Sequence, residues 1–283
     1  MSRLVPIAAV ALAAFGFAGP TSASATAPSR TGAPVREVTI SATSIRIAGP
    51  AAYHPGPATF KVSARGGEHV FHLLRFRRGF TLADLERAQR TLPPEQAQRL
   101  VLAHVRFLGG VDVFPGAPTA FTETLHKGTY YIGELSDRIR LRAIHVRGTP
   151  IPANAAPKSR ATITGYDFGW RLSTKTLPAH GTVTIRSTGH QPHLLILSPV
   201  KRGTTRAQLG AYLRQTGARE DAPPPPFAVD GPTVVTALMS PGTRMEFSYK
   251  LPAGEYALLT FATDTRTGQP QALEGMYGTA TLR

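Results

Sequence analysis

With 283 residues, the chain is long enough for two domains of about 100–130 residues, each burying its own core. It contains no cysteine, which excludes disulfides, iron–sulfur clusters, thiolate metal sites, a Cys nucleophile and a lipid carried on an N-terminal Cys. Lys and Arg number 32 against 17 acids, a formal charge of +15. That balance reads first as a solvated basic surface with no specific partner, and otherwise as favouring anionic envelope polymers or membrane surfaces. The partner is therefore unknown, with an anionic cell-envelope polymer or an envelope protein the candidates, and no recognised motif or basic–aromatic interleaving points to nucleic acid.

Residues 1–25 read as a secretory signal peptide, with an uncleaved membrane anchor as the alternative. Arg3 supplies the charged start, and the apolar run from Leu4 is too short and Ala-rich for a comfortable spanning helix. Small residues then offer cleavage after Ala25 or Ala27. No later segment is apolar enough to span a membrane, so the expected location is secreted, extracellular or cell-envelope. Residues 26–35 read as a disordered lead-in.

Beyond them, alternation of apolar residues predicts short strands around Val38 and Ile40 and around Phe60 and Val62. Thr81 and Asp84 stand in capping-box spacing, and Leu82, Leu85, Gln89 and Leu92 follow as a helical stripe. A further stripe of Ala97, Leu100, Val101, His104 and Leu108 predicts that helix continues past Pro94. The segment 138–147 alternates again. Ile139, Leu141, Ala143 and His145 share one face, while Arg138, Arg140 and Arg142 share the other, read as solvated. Pro, Ala and Asn then dominate, and a linker is expected over 148–160. Strands recur at Val183 and Ile185 and at Phe247, Tyr249 and Leu251, with a helix over "TTRAQLGAYLRQ" between them.

The chain repeats itself. "EHVFHLLRF" and "GHQPHLLIL" both contain His-x-x-His-Leu-Leu, and each is followed by Arg-Gly-x-Thr. Later, Pro115, Phe121, Leu125, Gly128 and Tyr130 match Pro241, Phe247, Leu251, Gly254 and Tyr256 without a gap. This organisation places one domain at 36–147 and a second at 161–283.

On these residues the second copy resembles a cupredoxin, the small Greek-key sandwich that holds type 1 copper. The resemblance implies an all-β chain of two tandem Greek-key cupredoxin-like sandwiches, each with a short helical insertion. It sets His193 at the first copper-ligand position. Thr260 stands where the Cys ligand would be, Gln271 where the second His would be, and Met276 keeps the axial ligand's type. The first copy follows more weakly, with His72 matching His193 and Glu134 at the position of Thr260. A type 1 site needs a thiolate and two imidazoles, so the resemblance implies the fold without the copper site, and no cofactor is expected.

The paired histidines carry the copper alternative. Residues three apart on a strand face opposite ways, so His69 with His72, or His190 with His193, share a metal only if a turn bends one back. Otherwise His72 and His193 are hydrogen-bonded residues at the sandwich end, and His69 and His190 are solvated turn residues. His104 and His145 are expected in the core, and Asp264 and Glu274 in a solvated loop. No catalytic motif is present, and an oxidoreductase lacks the Cys between histidines that passes electrons. The expected function is a non-enzymatic binding or scaffold protein, its ligand meeting the loop end around His193, Thr260, Gln271 and Met276 or a basic face. The alternative is weak copper binding or buffering by His and Met.

Overall fold

The computed structural model describes residues 32–135, 139–217 and 222–283. The expected signal peptide, most of the lead-in and Arg138 lie outside the described residues. The protein is all-β, and among the described residues the α-helices are confined to one insertion per repeat.

In the first repeat the strands are β1 (Val35–Ser41), β2 (Ile45–Ala48), β3 (Gly56–Arg65), β4 (His69–Phe76), β5 (Val105–Val113), β6 (Thr119–Leu125), β7 (Gly128–Leu135) and β8 (Ile139–Val146). Helices α1 (Leu82–Thr91) and α2 (Pro94–His104) sit between β4 and β5. The second repeat has β9 (Thr162–Tyr166), β10 (Gly169–Leu172), β11 (His180–Ser187) and β12 (Ile196–Val200). Helix α3 (Arg206–Thr216) follows, then β13 (Val234–Val235), β14 (Thr243–Lys250), β15 (Gly254–Leu259) and β16 (Tyr277–Leu282).

The two repeats have the same topology. Strands β5-β4-β7-β8 form one four-stranded sheet, and β13-β12-β15-β16 form its counterpart. The remaining strands join in a single eight-stranded sheet, β10-β9-β11-β14-β6-β3-β1-β2. β1 runs parallel to β3, and β9 parallel to β11. The join is β14 against β6, antiparallel, with Phe247 opposite Phe121. Those two residues are repeat mates, so a pseudo-two-fold axis passes between them.

Alternation explains the core. Val38, Phe60, Phe71, Phe121 and Ile132 bury the inner faces of the first sandwich, and Val183, Leu197, Phe247 and Leu258 those of the second, in one continuous cluster. A second cluster lies under the helices, where Leu74, Phe107, Leu194, Leu209 and Leu259 cover the outer faces of the four-stranded sheets.

The helical expectations need one correction. Helix α1 starts at the Thr81–Asp84 capping box as anticipated. Helix α2, however, ends at His104, and Leu108 lies on β5. The Val105 N–H closes the last turn on Val101 O, and the chain then pairs with β4.

The 148–160 linker is pinned at several points: the Ile151 N–H donates to Pro55 O at 2.7 Å and the Arg160 N–H to Thr182 O at 3.0 Å. Order also begins within the lead-in, since the Ala33 N–H donates to Ala155 O at 2.7 Å.

Candidate functional site

The segment before β12 delivers His193 to the end of the second sandwich. The loop after β15 brings Thr260, Gln271 and Met276 to the same place, and all four side chains are buried. Gln271 Nε2 donates to Pro192 O at 2.9 Å, which turns its Oε1 toward His193 Nδ1 at 2.8 Å. Nδ1 therefore carries a proton and donates. The other ring nitrogen faces Thr188 O at 3.3 Å and Asp167 Oδ1 at 3.8 Å. Burial pushes the His193 pKa down, against the opposing pull of Gln271, Thr188 and Asp167. Thr260 Oγ1 accepts from the Leu194 and Ala262 N–H groups at 3.4 and 3.3 Å.

The space beside His193 is filled. A Cβ on Gly165 would meet Trp170, His193 and Met276 at 3.0, 3.2 and 3.2 Å. Glycine at this point of β9 lets the strand approach the imidazole and the thioether together. Trp170 lies over His193, with ring centroids 6.4 Å apart.

These residues do not fit type 1 copper. The donors are one imidazole already engaged by an amide, one hydroxyl turned to backbone N–H groups, and one thioether. A thiolate and a second imidazole are the strong ligands of that centre, and neither stands here. The same burial overturns the expectation that a ligand meets these four side chains directly, because they are sealed inside the loop end.

His190 is exposed, with 95% of its side chain accessible. Its Nδ1 lies 3.0 Å from Asp167 Oδ2. Asp167 also accepts the backbone N–H groups of His190 and Gln191 at 2.9 Å. Burial raises the Asp167 pKa, but these N–H groups outweigh it and hold the carboxyl below its ordinary value.

In the first repeat, His69 and His72 point to opposite faces of β4. His69 is not a solvated turn residue: it is buried on the core face, its Nδ1 2.9 Å from Glu134 Oε1. Glu134 also pairs with Arg140, whose Nη1 donates to Ser41 O at 2.6 Å. Arg140 is therefore not on a solvated face. Its alternation with Ile144 and Val146 on β8 turns it inward, where Glu134 neutralises it.

His72 packs edge-on against Phe107 at 5.5 Å, and its Nδ1 has no hydrogen-bond partner among the described residues. Burial pushes its pKa down to about 4. Asp112 lies on the neighbouring strand, buried. Burial, then the Glu68 carboxylate, raise its pKa well above the usual range.

Three further expectations are corrected. His104 is exposed and stacks on Phe80 at 4.9 Å, because α2 turns it away from the sheet. His145 is exposed and meets Thr129 Oγ1 at 3.2 Å. Asp264 is buried, its Oδ1 accepting the Arg266 and Thr267 N–H groups at 2.6 and 3.1 Å. A polar loop folded on its own carboxylate looks the same in sequence as a solvated one.

Among the described residues, no group of three or more His, Asp or Glu side chains is placed to hold a metal ion. No helix there is long and apolar enough to cross a membrane.

No protein-family model matches the chain, and no curated protein does. Solved structures are similar to it at low overlap. Auracyanin A, a blue copper protein from Chloroflexus aurantiacus, is 22% identical with a TM-score of 0.24, covering 43% of this chain and 96% of its own. A reduced auracyanin from Roseiflexus castenholzii is 17% identical with a TM-score of 0.25, covering 43% and 94%. A copper nitrite reductase from Nitrosomonas europaea is 13% identical with a TM-score of 0.25, covering 88% and 93%.

Proposed function

We propose that the chain is an exported, non-enzymatic binding or scaffold protein, built from two cupredoxin-like repeats that have lost type 1 copper. Export rests on the leader pattern over residues 1–25. The observation that carries the rest is the His193–Gln271 contact of 2.8 Å. Where a copper centre needs a second imidazole, an amide anchored on Pro192 O occupies the ring nitrogen instead. Thr260, in the thiolate's position, spends its oxygen on backbone N–H groups. The loop end is thereby a closed polar plug that holds the fold together.

The test is direct. Purified protein is incubated with Cu(II), or with Cu(I) under reductant, then desalted, and bound copper is measured by mass spectrometry. The expected content is far below one copper per chain and unchanged in Met276→Leu, a change of similar volume. Stoichiometric copper lost in Met276→Leu or His193→Ala would overturn the reading. Stoichiometric copper lost only in His190→Ala would replace it with surface copper buffering.

A further inference from the structure

The two repeats enclose a cleft of about 980 Å³ beside the plugged loop end. Helix α2 of the first repeat gives one wall, through Gln98, Arg99 and Leu102. The loop from Thr263 to Gln269 in the second repeat gives the other. Gln98 Nε2 donates to Thr263 Oγ1 at 3.1 Å and ties the walls together. The cleft therefore exists only where the repeats meet, a usual place for a ligand site, and its size suits a ligand of several rings or sugars.

Its charge is lopsided. Arg77, Arg99, Arg106 and Arg266 line it, against the acids Glu95 and Asp264. Asp264 offers little to a ligand, since it is buried and its Oδ1 is taken by its own loop N–H groups. Glu95 sits 3.9 Å from Arg99 with both side chains largely exposed, and such a pair is weak enough for the guanidinium to turn to a stronger partner. Arg106 makes a long contact, 3.5 Å, to Gly242 O. Planar guanidinium forks match carboxylate and phosphate oxygens two at a time. Between the cations stand neutral hydrogen-bonding groups, Ser240, Thr265, Thr267 and Gln269, and an apolar floor of Pro192 and Pro241.

We propose that this cleft binds a ligand carrying two or more phosphate or carboxylate groups on a polyhydroxyl frame. The assignment rests on the reading of the chain as a binding protein and names the class of its ligand. Arg99 and Arg106 engage the anionic groups, and the hydroxyl and amide side chains engage the frame.

Isothermal titration with inorganic pyrophosphate in one arm and tetragalacturonate in the other tests this and separates the phosphate source from the carboxylate one. The expected result is saturable one-to-one binding of at least one probe, weakened by added salt. Arg99→Glu with Arg106→Glu lowers affinity at least about tenfold, as loss of charge-assisted contacts requires. Arg46→Glu with Arg65→Glu, the same charge change on exposed residues outside the cleft, leaves it unchanged. Circular dichroism and thermal melts check each variant, and the corresponding alanine pair serves if the glutamate pair does not fold. No saturation with either probe, or equal weakening by the control pair, overturns the assignment. A copper-free chain that binds neither probe sinks the cleft alone, whereas stoichiometric copper in the earlier assay sinks the copper-free reading independently.

Discussion

At the scale of single residues, one position has met two fates. His193 and His72 are repeat mates, but only His193 gained an amide partner. His72 is held by packing against Phe107 and by burial alone. Its folded pKa, about 4, lies below the ordinary 6.5, so as pH falls the unfolded chain takes the proton first. Stability from this residue is complete above pH 6.5 and is lost as pH falls through about 4, to a total of about 3 kcal/mol. Depression of His193 by burial acts in the same direction, whereas Asp112 and Glu123, raised by burial, act oppositely. A difference measurement isolates His72. Urea unfolding of wild type and His72→Leu between pH 7.5 and 4 should show the variant gaining on wild type as pH drops. Parallel profiles would assign the acid sensitivity elsewhere. The expectation of a hydrogen-bonded histidine at the sandwich end describes His193, but His72 lies in the middle of β4 with no partner on Nδ1 among the described residues, and His69, expected in solvent, is buried. Nothing local marks an imidazole whose carboxylate partner, Glu134, lies 65 positions away.

Among elements, the helices were the most legible because their signals are local. Both α1 and α3 open on capping boxes, Thr81 with Asp84 and Thr205 with Gln208. Thr205 Oγ1 accepts the Gln208 N–H at 3.2 Å while Gln208 Oε1 accepts the Thr205 N–H at 2.8 Å. Thr205→Ala should cost about 1 kcal/mol in chemical unfolding and Thr205→Ser much less. Equal loss in both variants would mean that the threonine methyl, and not the cap, matters. Strand β5 was read as helix. Gly109 and Gly110 interrupt its alternation, so "VRFLGG" reads as the tail of a helix. Pairing with β4 explains the glycines: the register shifts there, and at Gly110, with φ +140°, a Cβ would lie 1.9 Å from Phe71 O. Backbone proximity of that kind leaves no hydrophobic period to read. The same holds for the loop end after β15, where turn geometry, not periodicity, gathers Thr260 and Gln271.

For the molecule as a whole, the duplication was plain in sequence, but the way its copies join was not. Strand β14 reads as an ordinary half-buried strand and β6 as its repeat mate, and the pattern around Phe121 and Phe247 says nothing about what pairs with each edge. The structure pairs them with each other about a pseudo-two-fold axis, closing two strand edges that would otherwise stand open. The junction goes deeper than this one ladder. Across it, the Ala237 N–H donates to Gly110 O at 3.1 Å and the Ser240 N–H to Phe107 O at 2.8 Å. Phe121 and Phe247 belong to the same apolar cluster, so neither repeat completes its core independently of the other. Differential scanning calorimetry should accordingly give a single transition for the full chain, with calorimetric and van't Hoff enthalpies equal. Phe247→Ala opens a cavity at the axis and should cost about 4 kcal/mol, lowering that one transition as a whole. A wild-type melt that splits in two, or a variant in which half the heat stays at the original temperature, would show that the repeats fold as separate bodies. The Arg-lined cleft would then lack a rigid second wall, because Gln98 and Thr263 belong to different repeats. A single transition makes the junction the part of the fold that both the core and the proposed ligand site depend on.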